Sequence, residues 1–203
     1  MRPYNRVYAT VDLDAVVSNM KSMREALPAT TGIMGVVKAD GYGHGAVPVA
    51  RAMDPYVEGY AVSNIDEGIS LRRHGIKKPI LILGVTHSQR FEDLLRYDIQ
   101  PAMFRLKEAK ELSELAAEQG KKAKIHLALD TGMSRIGMQP DRESAKEAAQ
   151  MAALYGIELE GLFTHFARAD EADKSFYQTQ FERYQEFLSY LKEYGVTIPV
   201  RHL

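Results

Sequence analysis

The chain has 203 residues, no cysteine and a formal net charge of -1, with 45% hydrophobic and 26% charged residues. That length and balance suit one sizeable globular core, and the scattered charges give no basic face for nucleic acid or an anionic membrane. The lack of cysteine excludes a disulfide framework, a thiolate zinc site and a thiol nucleophile.

In chain order, short β-rich runs alternate with longer segments of helical spacing. The opening, "MRPYNRVYATVDLDAV", interrupts its apolar residues with Arg6, Asp12 and Asp14, so it reads as neither signal peptide nor membrane span. Strands are predicted over Val7–Asp12, Ile33–Lys38, Gly59–Val62, Pro79–Leu83, Ile99–Met103, Lys124–Leu129, Leu159–Phe163 and Ile198–Leu203. "PILIL" and "AKIHLAL" are near-continuously apolar, as strands of a parallel sheet covered on both faces must be. Helices are predicted over Leu13–Leu27, Ala46–Met53, Ile65–His74, Phe91–Arg96, Leu106–Gln119, Arg142–Leu154 and Lys174–Tyr194. The last carries Tyr177, Phe181, Tyr184, Leu188 and Leu191 at four- and three-residue steps, which predicts one buried stripe. Strands alternating with helices point to a TIM-like (β/α) barrel, with a doubly wound open sheet as the competitor. No G-x-G-x-x-G follows an early strand, which weakens the dinucleotide-binding form of that competitor.

In either fold the chemistry belongs at the carboxyl ends of the strands. "VVKADGYGHGA" puts Lys38 at one such end, "DTGMSRIG" brings Asp130 and Arg135 after another, and "LFTHFARAD" places His165 after a third. An amine among apolar neighbours can shed its proton and form a Schiff base. Gly41, Gly43 and Gly45 let backbone approach a ligand, and the following helix offers amide donors to an anion. Arg135 offers a fork for a carboxylate or phenolate. A lysine-bound partner with a phosphate tail uses all of these parts, and pyridoxal phosphate is the obvious one. Taken singly, each part has a plainer reading: a solvated lysine, a turn, a hydrogen-bonded structural histidine. "DGYGHG" lacks the G-x-x-x-x-G-K-[ST] spacing, and His44, His74, His87, His126 and His202 show no H-E-x-x-H or similar ligand spacing, so no metal site is expected.

Three motifs in order, "VVKADGYGHGA", "LDTGMSRIG" and "GLFTHFARAD", resemble the alanine racemases, a fold-type III family dependent on pyridoxal phosphate. The resemblance spans essentially the whole chain and implies a barrel domain over residues 1–203 that is one strand short of eight. By it, Lys38 would carry the cofactor and act as one of two bases at the substrate Cα. Tyr42 would hydrogen-bond the phosphate, Leu83 would pack against the cofactor, Arg135 would contact the phenolic oxygen and the substrate carboxylate, and His165 would lie behind the pyridine ring. The second base would be a tyrosine from the β-rich carboxyl-terminal domain of the partner subunit in a homodimer. That domain does not follow "IPVRHL", and the resemblance places Val7–Asp12 outside the barrel, against it, so these residues are expected to be part of a longer racemase. Many members carry a carbamylated lysine where this chain has Ala128, so chloride or a nearby acid is expected to meet Arg135 instead. The implied function is cytoplasmic interconversion of L- and D-alanine, supplying D-alanine for peptidoglycan. The alternatives are a serine racemase of the same family and a non-catalytic, single-domain barrel of the pyridoxal-phosphate homeostasis type.

Overall fold

The computed structural model describes residues 7–203. After α1 (Leu13–Ala26), seven strands follow with helices between them: β1 (Met34–Val36), α2 (Lys38–Tyr42), α3 (Ala46–Met53), β2 (Gly59–Val62), α4 (Ile65–Arg73), β3 (Ile80–Ile82), α5 (Phe91–Tyr97) and β4 (Gln100–Met103). The second half runs α6 (Leu106–Glu118), β5 (Ala123–Leu129), α7 (Arg142–Ala152), β6 (Ile157–Thr164), α8 (Ser175–Glu193) and β7 (Val200–His202).

Every neighbouring pair of strands is parallel, and the sheet order is the chain order, β1 through β7. A doubly wound sheet must reverse its strand order; this one never does, so the winding is that of a barrel wall. β1 is not hydrogen-bonded to β7, so the barrel is incomplete. The sheet is nevertheless curled: residues of β1 and β2 (Met34, Val36, Ala61) and residues at its far edge (Phe163, Arg201, His202) line one cavity.

The predicted first strand is a correction. Val7–Asp12 pairs with nothing and forms no strand among the described residues, and Val7 and Tyr8 are 87% and 76% exposed. Alternating apolar residues make a strand only when a sheet edge accepts their backbone. Asp12 instead caps α1, its carboxylate accepting from Asp14 N at 2.9 Å and Ala15 N at 3.1 Å.

Strand alternation sorts the side chains into two layers. Ile80, Ile82, Ile125, Leu127 and Leu129 face outward and join Leu94, Leu112, Met151, Phe187 and Leu191 of the helices in the main core. Leu81, Ala102, Ala128 and Phe163 face inward and form a second cluster with Met34 and Leu83. Burial on both faces explains why these strands read as continuous apolar runs.

Below the apolar inner layer, towards the amino ends of the strands, lies a polar one. His126 Nε2 is 2.9 Å from Gln100 Oε1, and His126 Nδ1 is 2.8 Å from His202 Nε2. Gly161 makes room for it, because a Cβ there would stand 2.3 Å from His126 Nδ1. Burial, then the charge of His202, pushes the His126 pKa down to about 3, and burial takes His202 down to about 4. Both therefore stay neutral in the fold at pH values where the unfolded chain, whose histidines titrate at an ordinary 6.5, takes up protons. The stability they contribute is whole above pH 6.5 and is lost as pH falls through the window towards 4 and 3. Each histidine should add a slope of up to about 1.4 kcal/mol per pH unit near pH 5. Urea unfolding at pH 7 and pH 5 reads it, and His126→Asn should flatten the slope; equal slopes in the two proteins would rule out this origin.

Candidate functional site

Lys38 stands two residues beyond β1, not at its last residue as the sequence predicts, because pairing with β2 ends at Val36 and Ala61. The backbone then turns left-handed: φ is 50° at Ala39, 51° at Asp40, 62° at Gly41 and 55° at Tyr42. Only Gly41 adopts this conformation freely, so the other three must be held there. The Asp40 carboxylate accepts from Ala46 N at 2.8 Å, and Gly45 N donates to Asp40 O at 2.8 Å. Glu67, in the first turn of α4, accepts from Ala39 N at 2.9 Å and Ser63 N at 2.7 Å, tying the turn to the end of β2. "DGYGHG" is thus a braced turn, and it brings the Tyr42 ring to 5.9 Å from Lys38 Nζ.

Arg135 is carried on a loop that closes on its own strand. Met138 N donates to Ala128 O at 2.9 Å and Asp130 N to Met138 O at 2.8 Å. The Asp130 carboxylate accepts from Gly132 N at 3.1 Å and Ser134 N at 2.9 Å. A Cβ on Gly137, where φ is +121°, would stand 2.6 Å from Asp130 N, so the closure requires glycine there. Asp130 therefore shapes the loop that presents Arg135. Among the described residues no carboxylate forms an ion pair with Arg135, so of the two expected stand-ins a nearby acid is not supplied by them.

His165 follows β6 directly, and its backbone is clamped from α8. Gln180, fully buried, donates to His165 O at 3.2 Å and to Thr131 Oγ1 at 3.0 Å, and accepts from Ala167 N at 2.9 Å. Thr131 Oγ1 lies 2.8 Å from Thr164 Oγ1, and Arg183 donates to Thr131 O at 2.7 Å. This corrects the predicted stripe: the buried face of α8 is Gln180, Tyr184, Phe187 and Leu191, while Tyr177, Phe181 and Leu188 are only partly buried. A polar residue takes the central place because two loops need its amide. Gln180→Leu strands those groups and should cost about 2 kcal/mol in urea unfolding. A change under about 0.5 kcal/mol would show that the clamp is not needed.

Lys38, Tyr42, Leu83, Arg135 and His165 all line one cavity of about 510 Å³. Its walls also include Val36, Ala61, Met133, Phe163, Arg201 and His202. The His165 imidazole is held below its ordinary range by desolvation, then by the positive charges of Arg135 and Lys38. The arrangement offers one amine, the Arg135 guanidinium and the imidazoles of His165 and His202 beside an apolar floor of Leu83, Ala128 and Phe163. It suits a planar, anionic ligand with an electrophilic carbon. Sequence reasoning did not place His202 in the cavity wall, although its register opposite the inward-facing Phe163 puts it there. It also missed Glu67 and Gln180, which act through backbone groups and carry no motif.

The family model "Alanine racemase, N-terminal domain" matches residues 11–203. The chain belongs to the alanine racemase family. An alanine racemase of Desulforamulus reducens is 43% identical over 197 residues, which cover 97% of this chain and 53% of that protein. The solved alanine racemase of Clostridium difficile 630 superposes with a TM-score of 0.92 at 41% identity, over 94% of this chain and 50% of that one. A second structure of that alanine racemase, in complex with cycloserine, gives a TM-score of 0.88 at 41% identity, over 94% of this chain and 52% of that one. The chain thus spans about half the length of the alanine racemases it matches. No helix of the described residues is long and apolar enough to cross a membrane.

Proposed function

We propose that this chain is the cofactor-binding barrel portion of a pyridoxal-phosphate-dependent racemase that interconverts L- and D-alanine. The observation that carries this reading is the convergence of Lys38, Tyr42, Arg135 and His165 on one cavity. The donor set fits the cofactor: a lysine amine for its aldehyde, a guanidinium for an anionic ring oxygen, a phenol for the phosphate, and Leu83, Ala61 and Phe163 to enclose the ring. When bound, pyridoxal phosphate supplies a conjugated ring that takes up the electron pair left at the substrate Cα. Lys38 would hold it through Nζ. The same amine would lie on one face of the substrate Cα, where it would take or return the proton. Arg135 would grip the substrate carboxylate, and His165, kept from protonation by desolvation and then by its cationic neighbours, would add no further charge.

Racemisation needs a second acid/base on the opposite face, and we place it on a partner subunit of a homodimer. A cytoplasmic supply of D-alanine for peptidoglycan follows as the role. The relatives named alanine racemase do not favour the serine or the non-catalytic alternative. The test is to load the chain with pyridoxal phosphate, reduce with borohydride and find the modified lysine by peptide mass. Attachment concentrated at Lys38 supports the reading. Attachment spread across the surface lysines overturns it.

A further inference from the structure

The proposed chemistry makes no use of the side-chain chain formed by Gln100, His126 and His202. It begins in the polar layer of the barrel interior and ends in the wall of the cavity, which His202 lines. Gln100 and His126 are 5% and 2% exposed, so their hydrogen bonds do not exchange freely with water. Each contact in such a chain needs one donor and one acceptor, and this fixes the proton positions in turn. Gln100 Oε1 can only accept, so the proton of His126 sits on Nε2, 2.9 Å away. His126 Nδ1 is then a lone pair, and His202 must donate to it from Nε2 across 2.8 Å. His202 Nδ1 is left without a proton.

Two features keep the chain in this form. The missing Cβ of Gly161 leaves the His126 ring its place, and Phe163 stacks on His202 at 5.1 Å and 22° between planes. The charged groups around the chain are occupied or offset. Lys124, on the same face of β5 as His126, lies 3.8 Å from Glu158 and 3.9 Å from Glu160. Arg201 adjoins His202 in the chain but stands opposite Leu162 on the outward face of the sheet, and Lys38 and Arg135 already supply the cavity with cations.

We propose that Gln100 and His126 are positioning residues that hold His202 as a neutral imidazole protonated on Nε2, so that this wall of the cavity stays uncharged. The inference rests on the cofactor reading only in naming what that wall faces. An acceptor at position 100 is then a requirement of the site, because its oxygen sets the direction of every donor behind it, and an uncharged one keeps the pair neutral.

The test is nitrogen-15 NMR of the histidine side chains in the chain without cofactor. At pH 7 both His126 and His202 should show a protonated Nε2 and a bare Nδ1, and neither should titrate above pH 5. Gln100→Glu keeps the shape and the acceptor but adds a negative charge, and should raise the midpoint of protonation of the pair by at least about one pH unit, a tenfold change. Added pyridoxal phosphate should then move the His202 resonances without adding a second proton to the ring. A proton on His202 Nδ1 in the unsubstituted chain overturns the proposal, and so does an unmoved titration in Gln100→Glu. If Gln100→Glu does not fold, the unsubstituted spectrum decides alone. A chain that shows these tautomers yet never retains pyridoxal phosphate refutes the cofactor reading and leaves the tautomers standing.

Discussion

Lys38→Ala should leave the fold untouched and abolish retention of pyridoxal phosphate through dialysis. The two halves of that expectation have separate grounds. Lys38 is partly exposed, and its nearest defined contact is the Tyr42 ring, 5.9 Å from Nζ. Such an exposed cation–π contact contributes about 0.5–1 kcal/mol, so urea midpoints should barely move. Retention, by contrast, depends on a covalent bond that no other cavity residue can make, since Arg135, Arg201, His165 and His202 lack a primary amine. Surface lysines will form adducts that wash out. The absorbance left after dialysis should therefore fall to the level of a control protein, and in a racemase context turnover should drop about 10²–10⁴-fold. Equal retention in Lys38→Ala would remove Lys38 from the role and the proposed mechanism with it.

The second large effect concerns stability. Gly161→Ala should cost about 3–4 kcal/mol and lower the melting temperature by about 10 °C. The added methyl would stand 2.3 Å from His126 Nδ1, 2.6 Å from His126 Cε1 and 2.9 Å from Val200 O. His126 cannot step aside without giving up Gln100 or His202, and β7 cannot yield without losing its pairing at Gly161 and Val200. Overpacking and an unmade buried hydrogen bond thus arrive together. His126→Ala in the Gly161→Ala background should recover part of the loss, since the two sites are in contact and their effects cannot add. A Gly161→Ala chain that melts within about 1 °C of the parent would show that the imidazole does not occupy this space.

Much of the barrel was legible because parallel strands covered on both faces leave unmistakable apolar runs. Gly59–Val62 was read to the residue, and Ile80–Ile82 and Ala123–Leu129 to within one at each end. Val7–Asp12 was misread because alternation reports side-chain character, whereas a strand also needs a partner's backbone. Motifs named Lys38, Tyr42, Leu83, Arg135 and His165, and all five line one cavity. What supports them was not legible. Glu67 and Gln180 bond to main-chain atoms that any residue could have supplied. His126 was weighed as a metal ligand and set aside, when its place between Lys124 and Ala128 on the inward face of β5 was the informative signal.

The left-handed turn after β1 bears on how this protein could be improved. Ala39, Asp40 and Tyr42 each sit where an L-residue gives up on the order of 1–2 kcal/mol. An engineer seeking thermal robustness would relax Ala39 and Tyr42 to glycine, sparing Asp40 because its carboxylate holds Ala46 N, and a melting curve would reward the choice. The same change would unlock the one stretch whose rigidity aims the amine, trading a fixed direction for a cone of directions. Natural variation at these positions should accordingly be judged by where Lys38 points, not by how hot the chain can be heated.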